Sequence, residues 1–224
     1  MSKPDDENSK DGRPGSARYQ DFVICEGQFV GQFDSMYRNS SEVPWHQDKT
    51  VNSIFSDLTV ALLKARRVRS LLDVGCGLGY MTDRLRREIP GLERVVGIDV
   101  SETAISRARE MFPEIEFLSG KPQAMAGNEK FEAVASKDVL WYVLDDLAGY
   151  IATLARRSSR WVYLGQSFPE SRPFYGEDIL PDAEALLKFL DGCGQGRVAY
   201  SLIERDAAYG GRQYAHVLIE AASQ

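Results

Sequence analysis

Ten residues, LLDVGCGLGY at positions 71–80, limit what this chain can fold into more than any other stretch. An apolar run carries Asp73 and gives way to glycines at every second position: Gly75, Gly77 and Gly79. Such a run reads as a buried strand, and a turn so bare of side chains lets a ligand approach the backbone. Met81, Leu85 and Ile89 then recur at helical spacing until Pro90-Gly91 stops them. The unit is strand, glycine turn, helix, and the helix start offers free N–H groups. The register departs from the dinucleotide fingerprint G-x-G-x-x-G, whose third glycine would fall on Tyr80. No Gly-Lys-Ser/Thr follows, which excludes a P-loop. A carboxylate at the mouth of the turn, Asp73, would repel a pyrophosphate and suits a cofactor that carries an ammonium group.

The same alternation continues on both sides. Val51, Ile54, Phe55, Leu58 and Leu62 suggest a helix from Thr50 whose buried face they form. Strands are expected at 94–99, 116–119, 131–136 and 160–166. Ser101 is placed to cap a helix carrying Ile105, Ala108 and Phe112, and Leu147, Ile151 and Leu154 mark another. Strands alternating with helices at this spacing imply βαβ units and a mostly parallel sheet. The end differs: the strand-like runs 198–206 and 212–221 are joined only by AAYGG, so they must pair antiparallel. The expected fold class is α/β, a single doubly wound, mostly parallel (Rossmann-like) sheet with an antiparallel C-terminal hairpin.

Charge and cysteine content narrow the partners. A formal net charge of −6 argues against a nucleic-acid backbone, which needs clustered Lys and Arg. The small patch Arg156, Arg157 and Arg160 reads as a solvated helix end. Three scattered cysteines without a C-x-x-C pair suggest a reducing, cytoplasmic setting. No stretch suits a signal peptide or a membrane span. Residues 1–18, almost without large apolar side chains, are expected to be a disordered tail.

Asp73 with G-x-G-x-G, a second strand ending in Asp99, the block FEAVASKDVLWYV and the closing hairpin together resemble the class I S-adenosylmethionine (SAM)-dependent methyltransferase family, from Leu71 to the end. The resemblance implies SAM as cofactor, held by a domain spanning 50–224. Gly75, Cys76, Gly77 and Gly79 would make room for its methionine end, while Asp73 orders the loop and faces the amino group. Asp99 would accept both ribose hydroxyls and Val100 pack on the adenine; Ser136, ending the fourth strand, joins the same site. Where the family has Gly-Asp-Ala after the third strand, this chain reads Gly120-Lys121-Pro122-Gln123. Lysine accepts no hydrogen bond and Pro122 has no N–H, leaving Gln123 as the acceptor beside the adenine. Cys76, small between two glycines and without a partner histidine nearby, is there for fit rather than as a nucleophile.

In this family the acceptor lies beside the end of the fourth strand. The Asn/Asp-Pro-Pro-aromatic motif of base and glutamine methylation is absent there, and Trp141-Tyr142 stands where small-molecule members often carry Glu-His. Asp138 and Tyr142 are candidates for substrate contact, or equally a helix cap and a core aromatic. FDSMYRNSSEVPWHQ (33–47) resembles the segment that closes over the sulfonium in small-molecule methyltransferases, so residues 19–49 are expected to form a lid. Tyr37 and Trp45 would meet the cofactor, and Tyr19, Phe22, Phe29 and Phe33 would line the acceptor pocket or simply cover the sheet edge. His46 is either a general base or a surface-loop histidine, and His216 is structural. Arg172 and Tyr175, in the Pro- and aromatic-rich stretch 169–181, could meet an anionic or sugar acceptor, or equally belong to a solvated loop. Two separated histidines suggest no metal. The expected acceptor is an oxygen or nitrogen of a small molecule, with no nucleic-acid or membrane partner. A peptide or tRNA acceptor, or a non-catalytic SAM-binding subunit, remains the alternative, and a dehydrogenase is the least favoured.

Overall fold

The structure is a computed structural model that describes residues 18–169, 173–206 and 212–222. The expected tail (1–17), Arg172 and the AAYGG turn (207–211) lie outside the described residues. In chain order the elements are β1 (Ile24–Cys25), β2 (Gln28–Phe29), α1 (Phe33–Asn39), α2 (Gln47–Thr50), α3 (Ile54–Ala65), β3 (Ser70–Val74), α4 (Tyr80–Glu88), β4 (Arg94–Asp99), α5 (Glu102–Met111), β5 (Glu116–Ser119), β6 (Phe131–Lys137), α6 (Leu147–Arg157), β7 (Ser158–Phe168), α7 (Ala183–Gly192), β8 (Gly196–Asp206) and β9 (Arg212–Ala221).

Seven strands form one sheet in the order β5-β4-β3-β6-β7-β9-β8. The first five are parallel; β9 runs antiparallel between β7 and β8. Strand order reverses at β3, with β4 on one side and β6 on the other, and ligands bind at the carboxyl ends beside such a switch point. Successive side chains of each strand serve opposite layers. Leu72, Val74, Val134 and Val162 pack toward α6 and α7, while Leu71, Ala133, Ala135 and Tyr163 pack toward α3, α4 and α5. A third cluster joins the N-terminal segment to the sheet domain, with Val23, Met36 and Tyr37 against Leu78 and Ala104. Among the described residues no helix is long and apolar enough to cross a membrane.

Two readings need correction, and two helices are new. The inner face of α3 is Ser56, Thr59, Val60 and Leu63, rotated from the expected stripe, and Ile54 is half exposed. Hydroxyls drew the helix round: Ser56 donates to the Thr50 carbonyl (2.9 Å), and Thr59 Oγ1 lies 2.7 Å from the buried Tyr163 hydroxyl. Arg157 is not solvated but buried at the end of α6. Its guanidinium donates to the carbonyls of Pro122 (3.1 Å), Met125 (2.6 Å) and Gly127 (2.9 Å), a loop with no ladder of its own. Finally α1 and α7 were not anticipated. Asp182 caps α7 by accepting from Ala185 N, and Ala183, Leu186 and Leu190 bury its inner face.

Candidate functional site

The glycine turn begins where β3 ends, and all three glycines have positive φ: 78° at Gly75, 55° at Gly77 and 82° at Gly79. Positive φ is one reason for glycine; crowding by the chain itself is the other. A Cβ on Gly77 would lie 2.6 Å from the Tyr37 hydroxyl, and one on Gly79 would lie 2.6 Å from Phe117 Cζ. Gly79 also starts α4, and the Gly75 and Cys76 N–H groups both donate to the Ile98 carbonyl. The turn is therefore fixed by β4 beneath it and by the N-terminal segment above it.

Two carboxylates flank the turn. Asp73 is buried and accepts from Thr82 Oγ1 at 2.6 Å. Burial pushes its pKa up to about 6, against the Thr82 hydrogen bond and the charge of Lys137, which pull it down. Asp99 accepts the Gly77 N–H on Oδ2 and the Ser101 N–H on Oδ1, both at 2.9 Å, and burial raises its pKa too. Each oxygen keeps a lone pair for a further donor. Burial also holds the Cys76 thiol well above its usual range, the state of an inert cysteine.

Asp73, Gly75, Cys76, Asp99, Val100, Pro122 and Gln123 line one end of a cavity of about 1110 Å³. Val100, although apolar, is 47% exposed there. Among the expected cofactor residues, Gly77, Gly79 and Ser136 stand back from the cavity wall. The Ser136 hydroxyl is spent on the Tyr150 hydroxyl (2.7 Å), whose ring lines the cavity in its place.

The other end gathers Asp138, Tyr142 and Tyr214 with Trp45 and His46, and Lys137 lies between the two ends, its charge felt by Asp73 and its Nζ bonded to Asp138. Asp138 has φ of 57°, a strained conformation for a residue with a Cβ. Its carboxylate caps no helix. It accepts from Ser167 N (3.1 Å), Lys137 Nζ (2.7 Å) and the Tyr214 hydroxyl (3.2 Å). Tyr142 is met by Phe33 edge-on at 5.1 Å and by Phe29 and Trp45 at 6.1 and 5.9 Å. Phe22 packs away from the cavity, and Tyr175 backs Phe29 from behind (5.9 Å) rather than lining the wall. His216 is fully buried on β9 beside Tyr163, and burial lowers its pKa to about 4.

The N-terminal segment is fastened to the glycine-turn end by two residues that the sequence did not single out. Gln47 donates to the Tyr37 hydroxyl and accepts the Leu78 N–H, both at 3.0 Å, so its amide joins the N-terminal segment to the glycine turn. Asp34 on α1 accepts from Thr103 N (2.8 Å) and Ser101 Oγ (3.1 Å) at the start of α5, which holds its carboxyl below the usual range. Lys137 was equally missed. It lay inside a quoted block, but nothing in sequence says which way a lysine at a strand end turns.

Residues 71–159 match the family model of a methyltransferase domain. A malonyl-[acyl-carrier protein] O-methyltransferase of Acetivibrio thermocellus is 31% identical over 113 residues, 49% of this chain and only 38% of that protein's length. Among solved structures, magnesium protoporphyrin IX methyltransferase (ChlM) from Synechocystis PCC 6803, with bound SAM, superposes at a TM-score of 0.57 with 18% identity, over 83% of this chain and 88% of that one. The N-methyltransferase NodS from Bradyrhizobium japonicum WM9, in complex with S-adenosyl-L-homocysteine (SAH), gives 0.60 and 14%, over 84% and 98%. The sheet order and these neighbours give the chain the fold of class I SAM-dependent methyltransferases, and residues 71–159, which carry the acid-and-glycine turn, match a methyltransferase domain.

Proposed function

We infer that the chain transfers a methyl group from SAM to an oxygen or nitrogen of a small molecule. The observation that carries this reading is a single cavity with two unlike ends, acidic at the glycine turn and aromatic with fixed charges beneath the N-terminal segment. Its volume of about 1110 Å³ lies at the top of the roughly 300–1,000 Å³ range of small-molecule pockets, which suits a site shared by cofactor and acceptor. The family uses SAM, and the residues here suit it: Asp73 for an ammonium, Asp99 with free lone pairs for two ribose hydroxyls, Val100 as an apolar face for adenine. Bound SAM supplies a methyl group on a positively charged sulfur.

The chain's own task is alignment and the exclusion of water. Residues 19–49 act as the lid, with Tyr37 and Trp45 (ring centroids 6.0 Å apart) on the cofactor side. An aromatic face over a sulfonium contributes ~0.5–2 kcal/mol. A hydroxyl acceptor must lose its proton as its oxygen bonds to carbon. Asp138, held rigid by Ser167 N–H, is the group positioned to take it, with His46 the second candidate. Tyr142 positions the acceptor ring or chain. The scattered cysteines suit a reducing, cytoplasmic setting.

The test is incubation with SAM and a metabolite extract, following SAH release and products heavier by one CH₂. A small-molecule product supports the reading. Methylation confined to the peptide or tRNA fraction would move the acceptor to a macromolecule, and SAM binding with no transfer to any fraction would make the chain a binding subunit.

A further inference from the structure

We propose that Lys137 binds the α-carboxylate of SAM's amino-acid tail, forming with Asp73 a two-charge cradle for the zwitterion. The inference rests on the reading that this cavity holds SAM.

The register of the sheet brings the two charges together. Asp73 on β3 pairs with Ala135 on β6. Lys137 lies two residues beyond Ala135, so it leaves the sheet on the same face as Asp73, one step closer to the carboxyl ends. Both residues line the cavity, and the lysine's charge reaches the aspartate strongly enough to pull its carboxyl down.

The ammonium is incompletely used. The Lys137 side chain is 19% exposed, and its hydrogen-bond acceptor among the described residues is Asp138 Oδ2 at 2.7 Å. Its other near neighbour is the Tyr214 ring, with the centroid 5.4 Å away. An ammonium has three donors, so two remain for a ligand in a largely enclosed place where unmade hydrogen bonds are costly. A neutral oxygen could accept from them, but only an anionic group such as a carboxylate both accepts from them and balances the charge. The amino-acid tail carries ammonium and carboxylate on one carbon. Asp73 alone would repel its carboxylate and Lys137 alone its ammonium, whereas the pair, set side by side, accepts both. An acidic group on the acceptor is the other possible source of a carboxylate at Lys137, and it is separable by experiment.

Titration calorimetry would compare SAH with 5′-methylthioadenosine, which keeps the adenosine and the thioether but lacks the amino-acid tail. For Lys137→Met, SAH affinity should fall about tenfold or more while 5′-methylthioadenosine affinity stays as in the parent protein, and Lys137→Arg should restore most of the loss. Unchanged SAH affinity in a folded Lys137→Met protein would overturn the proposal and assign the lysine to the acceptor. Equal losses for both ligands would overturn it as well, because the effect would not follow the tail. Should the parent protein bind neither ligand, the SAM reading itself fails first.

Discussion

The two ends of the cavity are built by different means. At the cofactor end each side chain is placed by its own strand or by the turn next to it: Asp73 is the fourth residue of β3, Asp99 the last of β4, and the glycines follow β3 directly. At the lid end the decisive contacts cross the chain, from Gln47 to Leu78, from Asp34 to Thr103, and from Phe29, Phe33 and Trp45 to Tyr142. The first kind of site is rigid because the sheet is rigid. The second is an assembly of side chains fastened at a few points, and such segments open at lower free energy than the core. Cofactor recognition should therefore respond to single charges, and acceptor recognition to the fastening of the lid.

The sharpest way to break that contrast is Asp99→Ala. The carboxylate both holds the Gly77 and Ser101 N–H groups and offers its remaining lone pairs to the ribose. Charge-assisted bonds net about 1.5–3 kcal/mol each, so SAH affinity should fall by roughly ten- to a hundredfold while the fold persists. Calorimetry on the folded variant checks this. An unchanged affinity would show that the ribose is not held at β4 and would remove the difference between the two ends.

Asp73 sharpens the comparison through pH. Its carboxyl titrates near 6 in the empty protein, against 3.8 for an unperturbed group. A ligand ammonium favours the ionised form, so SAH affinity should drop about tenfold per pH unit below about 6. The sign for stability is opposite. A folded pKa raised above the unfolded one contributes stability that is present below 3.8 and lost as pH rises through 6. His216 works the other way: lowered from 6.5 to about 4, it contributes stability present above 6.5 and lost as pH falls through 4. Both shifts come to about 3 kcal/mol, and between pH 4 and 6 their slopes oppose. Asp73→Asn should therefore be more stable than the parent without ligand at pH 7, yet lose stability on acidification to pH 5 where the parent changes little. Urea titrations at the two pH values measure both effects.

What was legible in the sequence follows the same division. β3, β4 and β9 fall where apolar runs and turn residues put them, because strands buried on both faces leave an unbroken apolar signature, and the edge strand β5 shows itself by Phe117 and Leu118 alone. Asp73 and Asp99 were readable because their spacing to the glycines is local. The inner face of α3 was misread because Ser56 and Thr59, polar by composition, are buried through hydrogen bonds with partners 6 and 104 residues away. Arg157 was misread for the same reason, since its carbonyl partners belong to a loop some 30 residues earlier. Gln47 and Asp34 carry no pattern at all. Their roles exist only once the N-terminal segment has docked.

That docking predicts a smaller, differently distributed effect for Gln47→Ala. A neutral hydrogen bond nets ~0.5–1.5 kcal/mol, and the variant loses one to the Leu78 N–H and one to Tyr37. SAH affinity should weaken by only a few fold. The KM for the acceptor should rise more, because the rings of the lid lose their fastening. Equal effects on both ligands would mean that Gln47 belongs to the cofactor end and not to the lid.

The smallest effect is expected from His46→Ala. His46 is exposed, in the left-handed conformation (φ 48°), and its ring contact is with Tyr19, edge-on at 5.9 Å. Losing a general base costs about 10²- to 10⁴-fold in turnover. Among the described residues His46 has no partner that fixes its ring as Ser167 N–H and the Tyr214 hydroxyl fix the Asp138 carboxylate, and a base must be held within hydrogen-bond reach of the proton it takes. Turnover at saturating SAM should thus fall less than about tenfold in His46→Ala and by far more in Asp138→Asn, which keeps the shape and removes the basicity. A nearly inactive His46→Ala protein beside an active Asp138→Asn protein would reverse the roles. It would also place the proton acceptor on the lid, so that closing the lid and assembling the base become one event.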